Sequence, residues 1–149
     1  MAPRDLVQRT TDTRKRLHED VDVWVSTASQ DGVPHLRPLS FTWDGSTVLI
    51  STPEDSPTGR NLAISGKVTL ALGHTRDVVM IEGNVQVIPI EELPQEVGDA
   101  FAARTEFDPR TLKTTYAFYR VTPVEIQAWR EEDELRNRTI MRGGAWLAD

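Results

Sequence analysis

Apolar and polar residues alternate with a period of two along much of the chain, broken by turn residues at regular intervals. Val21, Val23, Val25 and Thr27 fall on one side of the pattern, and Asp22, Trp24, Ser26 and Ala28 on the other. That alternation predicts a strand. Gln30-Asp31-Gly32 supplies the positive φ a tight hairpin needs. A second strand is predicted over His35–Trp43, Asp44-Gly45 turns the chain again, and a third runs over Thr47–Thr52. Val68–Gly73 and Val78–Ile88 read as the fourth and fifth, joined through Thr75-Arg76-Asp77 and stopped at Pro89. Thr115–Val121 and Val124–Trp129 are expected as two further strands separated at Thr122-Pro123.

The helical period is rarer. Asp5–Glu19 is charged, with Leu6, Val7 and Leu17 as sparse apolar anchors, and reads as a surface helix. Ser56-Pro57 has the form of an N-cap followed by proline at the first helical position. It predicts a short helix over Thr58–Ser65 that ends at Gly66. Glu91–Arg104 is amphipathic, with Leu93, Val97, Ala100 and Phe101 facing inward. Phe107-Asp108-Pro109 is a loop, Glu131–Glu134 a solvated charged turn, and Met141-Arg142-Gly143-Gly144-Ala145-Trp146 a tail. Many short strands with few helices predict a mainly β fold. The expected form is a six- to seven-stranded antiparallel barrel, with an open α+β sandwich as the competing architecture. Closure of a barrel removes the exposed strand edges that aggregate.

The 149 residues fit one domain, 1–149. The absence of cysteine excludes disulfides, thiolate catalysis and cysteine-held metal within this chain. No apolar run approaches the ~18 residues of a membrane span, and the first twenty residues are too polar for a secretory signal. A cytoplasmic protein with no membrane partner is the expectation. The net charge of −6 argues against a nucleic-acid binder, which carries a basic stripe. His18, His35 and His74 form no metal-spaced pair, so no metal is expected. No Gly-x-Ser-x-Gly elbow, dinucleotide fingerprint or Walker loop is present.

Two segments carry candidate chemistry. Ser51-Thr52-Pro53-Glu54-Asp55-Ser56-Pro57-Thr58-Gly59-Arg60-Asn61-Leu62 brings hydroxyls, a guanidinium and an amide around a helix N-terminus. Free backbone N–H groups there favour an anion, and Arg60 suits a bidentate pair with phosphate. The plainer alternative is that Ser56 only caps the helix while Arg60 and Asn61 coat its surface. The second segment is Pro34-His35-Leu36-Arg37-Pro38-Leu39-Ser40-Phe41. Pro38 belongs where a strand is unpaired or at an edge, and unpaired backbone groups there can read the rim of a flat heterocycle. An ordinary edge strand is the alternative.

Together these segments resemble the pyridoxamine 5′-phosphate oxidase-like split β-barrel superfamily. The matching pieces are Val25-Ser26-Thr27, Asp31-Gly32, Pro34-His35, Arg37-Pro38-Leu39-Ser40-Phe41 and Trp43-Asp44-Gly45. They continue through Leu49-Ile50-Ser51-Thr52, Thr58-Gly59-Arg60-Asn61-Leu62 and Val68–Gly73, with a weaker echo in Tyr119–Pro123 and Ala128-Trp129. The resemblance implies a homodimer with cofactor sites at its interface. It places Arg37, Pro38, Leu39 and Ser40 along an isoalloxazine ring, and Ser51 and Thr52 at the ring or ribityl chain. Thr58, Arg60 and Asn61 are placed at the phosphate, with Arg76 and Trp146 as residues that close the partner's pocket.

Two departures stand out. The arginine–proline ending of the true pyridoxamine phosphate oxidases is absent, and Ser56-Pro57-Thr58-Gly59 stands where a basic residue often precedes Arg-Asn-Leu. Pyridoxine oxidation is therefore not the expected activity, and the short chain with its Arg60-Asn61-Leu62 segment looks closer to the flavin/deazaflavin oxidoreductase branch. The implied cofactor is coenzyme F-420 or FMN, transferring hydride to a small-molecule substrate. The alternatives are a non-catalytic flavin carrier or sensor, and a cofactor-free barrel. A polyglutamyl deazaflavin tail calls for a basic groove, for which Lys67, Arg76, Lys113, Arg136, Arg138 and Arg142 are candidates.

Overall fold

The computed structural model describes residues 2–149. Strand β1 (Asp22–Ala28) buries Val23, Val25 and Thr27 and exposes the residues between them, as its alternation requires. It pairs antiparallel with β2 (Pro34–Trp43) on one side and β4 (Lys67–Leu72) on the other. β4 pairs with β5 (Val78–Pro89), and β5 with β6 (Tyr116–Trp129). β3 (Val48–Pro53) pairs with β2 and also with β6, which closes a six-stranded antiparallel barrel. The open sandwich is thereby excluded.

The interior is filled by Val25, Phe41, Ile50, Leu70, Ile81, Tyr119, Val121 and Ile126, each at most 1% exposed. Helix α1 (Leu6–Glu19) adds Leu17 to that core. Val7, expected as an anchor, is 56% exposed, whereas Arg9, Thr10 and Thr13 are buried. A second, smaller cluster lies outside the barrel wall. There α3 (Gln95–Thr105) lays Phe101 against Leu49, Ile88 and Phe118. β3 is consequently buried on both faces from Val48 to Thr52.

Further expectations need correction. β6 is one unbroken strand, not two. Pro123 sits in it opposite Gly83, next to a bulge in which Val124 of β6 is the extra residue between the Glu82–Glu125 and Gly83–Pro123 pairs, an irregularity of the kind that tolerates proline. The predicted helix over 91–104 is a 3-10 turn at Ile90–Glu92 followed by α3, because a residue before proline avoids the helical region and Leu93 precedes Pro94. Ala100 is exposed rather than inward. The tail forms a hairpin of β7 (Thr139–Arg142) and β8 (Ala145–Trp146), added to the edge of β6. Gly143 and Gly144, at φ 61° and 79°, make the turn.

The charged turn after β6 is not wholly solvated. Glu134 is 6% exposed. It accepts from the Arg4 Nε (3.0 Å), Nη2 (2.7 Å) and backbone N–H (2.8 Å), and from the Arg130 N–H (2.8 Å). Arg4 also pairs with Asp12 of α1 at 3.1 Å. The segment before α1 is thus tied to the far end of the sequence.

Candidate functional site

β2 and β3 stay paired only from Phe41–Trp43 to Val48–Ile50. Beyond that they part. Pro34–Ser40 pairs with β1 alone, and Ser51–Pro53 with β6 alone. One edge of β2 is therefore without a strand partner, and Pro38, opposite Trp24, lies within that stretch. A cleft of about 280 Å³ occupies the gap, lined by Pro38, Leu39 and Ser40 from β2 and Ser51, Thr52 and Pro53 from β3. Phe101 of α3 and Phe107 and Tyr116 beyond it form the remaining wall. Phe107 and Tyr116 meet edge to face, with ring centroids 5.6 Å apart.

The hydroxyls of the cleft are already oriented. Ser51 Oγ donates to the Ala117 carbonyl at 2.8 Å. Thr52 Oγ1 lies 3.4 Å from Ser56 Oγ. Ser40 Oγ, at the rim, donates to Asp22 at 2.9 Å. The wall holds a single titratable group, the Tyr116 phenol.

Helix α2 (Pro57–Ser65) begins directly after β3. Ser56 caps it, accepting from the Gly59 N–H at 3.0 Å. Thr58 and Asn61 are buried, and Asn61 Nδ2 donates to Thr27 Oγ1 of β1 at 3.1 Å. Arg60 is exposed, its guanidinium held on the Asp55 carbonyl. Arg37 is likewise exposed and donates to the Leu36 carbonyl at 2.9 Å. Of the nine residues singled out from the sequence, Pro38, Leu39, Ser40, Ser51 and Thr52 share the cleft. Arg37, Thr58, Arg60 and Asn61 stand outside its lining. Phe101, Phe107 and Tyr116 were not anticipated as lining residues. The one signal for them was aromatic side chains flanking a loop that needs none.

Gly59 matters for a close approach. A Cβ there would meet the Pro53 carbonyl, and would lie 2.9 Å from Tyr119 Oη and 3.1 Å from the Glu54 carbonyl. The Tyr119 phenol is itself pushed up to about 12, by burial first and by Glu54 second. Gly59→Ala is expected to destabilise the fold by about 1–3 kcal/mol, since backbone cannot yield as a flexible side chain does. Urea unfolding of the variant checks this.

A broader concavity of about 630 Å³ lies across β1, β4 and β5, lined by Ser26, Thr69, Glu82, Lys67 and Asn84 among others. Of the six basic residues proposed as a groove, only Lys67 lines either cleft. Arg76 pairs with Glu131 at 3.6 Å. Arg138 bonds the Leu135 carbonyl and lies over Trp129. Trp146 is half-buried beneath Arg14, 4.4 Å from its ring centroid, against its own barrel core. Among the described residues no group of three histidine or acidic side chains is placed to hold a metal. No helix among the described residues is long and apolar enough to cross a membrane.

A closed antiparallel barrel whose β2 and β3 diverge around a cleft defines the split β-barrel class. The family model for pyridoxamine 5′-phosphate oxidase matches residues 10–130, and the chain belongs to that family. No curated protein matches. Among solved structures, an F420 reductase superposes with a TM-score of 0.62 at 17% identity, covering 76% of this chain and 94% of the other. The Mycobacterium tuberculosis protein Rv2991 gives 0.66 at 16% identity, covering 83% and 85%. The haem storage protein HutZ of Vibrio cholerae gives 0.63 at 12% identity, covering 81% and 94%. At these identities the likeness is one of fold.

Proposed function

We propose that the β2–β3 cleft receives the ring of a flavin or deazaflavin, FMN or coenzyme F-420, and that the protein is an oxidoreductase acting on a small organic molecule. The observation that carries this is the unpaired edge of β2, whose Pro38, Leu39 and Ser40 line a cleft of uncharged side chains. A flat ring needs two apolar faces and a strip of hydrogen-bonding groups along its rim. Pro38, Leu39 and the aromatic wall supply the faces, and the β2 backbone with Ser51 and Thr52 supplies the rim. The bound group brings hydride chemistry, and the protein orients it and excludes water. This division suits a cleft in which Tyr116 is the only titratable side chain.

The cleft, at about 280 Å³, lies just below the ~300–1,000 Å³ usual for ligand pockets. It accommodates a ring system and not a whole cofactor, and on this reading a second copy in a homodimer supplies the rest of the site. The outer face of β1, β2 and β5 suits that role. Trp24, Leu36 and Met80 are 45%, 54% and 36% exposed there, and Trp24 and Met80 each pair across to Ala71. The same tight volume favours one second reading, a carrier or sensor that covers the ring and leaves no room for substrate.

Titration of the purified protein with FMN and with F-420, followed by fluorescence, tests the proposal. One of them is expected to bind at micromolar or better affinity, with two sites per dimer by sedimentation. Ser40→Trp is expected to weaken that binding roughly tenfold or more by filling the rim. Binding of neither by the folded protein overturns the reading. Turnover of the reduced cofactor against a substrate panel separates enzyme from carrier.

A further inference from the structure

In a phosphate-anchored flavin site, the tail fixes the cofactor and the ring follows. The start of α2 does not fit that arrangement. Pro57 has no N–H, the Gly59 N–H is taken by Ser56 Oγ and the Arg60 N–H by the Ser56 carbonyl. Thr58 alone keeps a first-turn amide without a partner. The Asn61 amide is spent on Thr27, and Arg60 is held by the Asp55 carbonyl. The turn leading into the helix carries Glu54 and Asp55, both exposed. Two carboxylates against one guanidinium make this end of the site net negative, which repels a phosphate. The ring end is the reverse, since nine uncharged residues line it and five of them are aromatic or proline.

We infer that binding in this cleft is anchored by the uncharged ring, with the phosphate contributing little. The inference rests on the cleft being a flavin or deazaflavin site, and it deepens that reading by assigning the class of ligand recognised: a flat, neutral, nitrogen-bearing tricycle with or without a charged tail. Phe107 and Tyr116 are its positioning residues. Both are half-buried, they meet edge to face, and both line the cleft together with Pro38, Leu39 and Ser40 of β2.

Matched pairs of ligands test this: riboflavin against FMN, and 5-deazariboflavin against its 5′-phosphate. For whichever ring binds, the two members are expected to differ in Kd by no more than about threefold. A site anchored by two or three hydrogen bonds to phosphate would separate them by more than about 100-fold. Arg60→Ala is expected to leave both affinities within about twofold. Phe107→Ala is expected to weaken both members of the pair by about the same factor, roughly tenfold. The double variant Glu54→Gln/Asp55→Asn is expected to favour the phosphorylated member selectively, by a few-fold. A phosphorylated member preferred by more than about 100-fold and sensitive to Arg60→Ala overturns the inference but leaves the flavin site intact. Failure of all four ligands to bind removes the site and the inference together.

Discussion

Phe101→Ala is expected to destabilise the protein by about 4 kcal/mol, within the ~3–5 kcal/mol typical of buried Phe→Ala changes. Phe101 is 1% exposed and meets Phe118 edge to face at 5.3 Å and 88°. It is the fully buried residue by which α3 holds to the outer face of β3, with Leu49 and Ile88 around it. The cavity left behind lies outside the barrel, so the closed ring of strands should persist while α3 loosens. At this chain length the cost lowers Tm by roughly 10 °C. Because Phe101 also lines the cleft, ligand affinity should fall with it. Thermal unfolding with and without ligand measures both effects. A variant of unchanged Tm would mean that α3 is not fixed by this contact.

The second large effect concerns Glu134. Its side chain is 3% exposed and that of Arg4 is 9% exposed, at 2.7 Å. The Arg4 hydrogen bonds hold the carboxyl down to about 2 against the opposing influence of burial. Removing one partner of a buried pair costs ~3–5 kcal/mol, and Asp12, 3.1 Å from Arg4, keeps the loss at the low end of that range. Glu134→Gln is accordingly expected to lose about 3 kcal/mol at pH 7. The pH dependence follows in sign. A carboxyl depressed in the folded state contributes stability that is full above its unfolded pKa, near 4.5. That contribution is lost as pH falls towards 2. The gap between wild type and Glu134→Gln should therefore be widest above about pH 5 and should narrow steadily below about pH 4.5. Urea midpoints across that range give the measurement. A gap that does not change with pH would assign the loss to packing and not to charge.

The two sites differ in how much the sequence disclosed. β1 was legible because one face of a half-buried strand alternates, and α2 because Ser56, Pro57 and Gly66 are local signals for a cap, a first turn and a stop. The barrel and five of the cleft residues followed from those signals and the resemblance. The parting of β2 from β3 was not legible, since it depends on β6 claiming Ser51–Pro53 from 63 or more positions away. Phe107 and Tyr116 read as loop and strand start because nothing local shows that they line a cleft with β2 and β3. Glu134 looked like one more solvated acid because its partner Arg4 is 130 residues earlier. Pro123 looked like a break because the bulge at Val124 that accommodates it shows only in the pairing of its strand with β5.

The closing pair of strands also sets a timetable for the ribosome. Val48 finds its partner Val121 only after 73 further residues have been added. At about 5–20 residues per second this is roughly 4–15 s of synthesis. During that time β3 can be held by β2 alone, with its other edge open to any neighbouring chain. The barrel can complete itself only after β6 leaves the exit tunnel. The segment Val48–Thr52, buried on both faces in the finished protein, is then the stretch most in need of shelter in the nascent one.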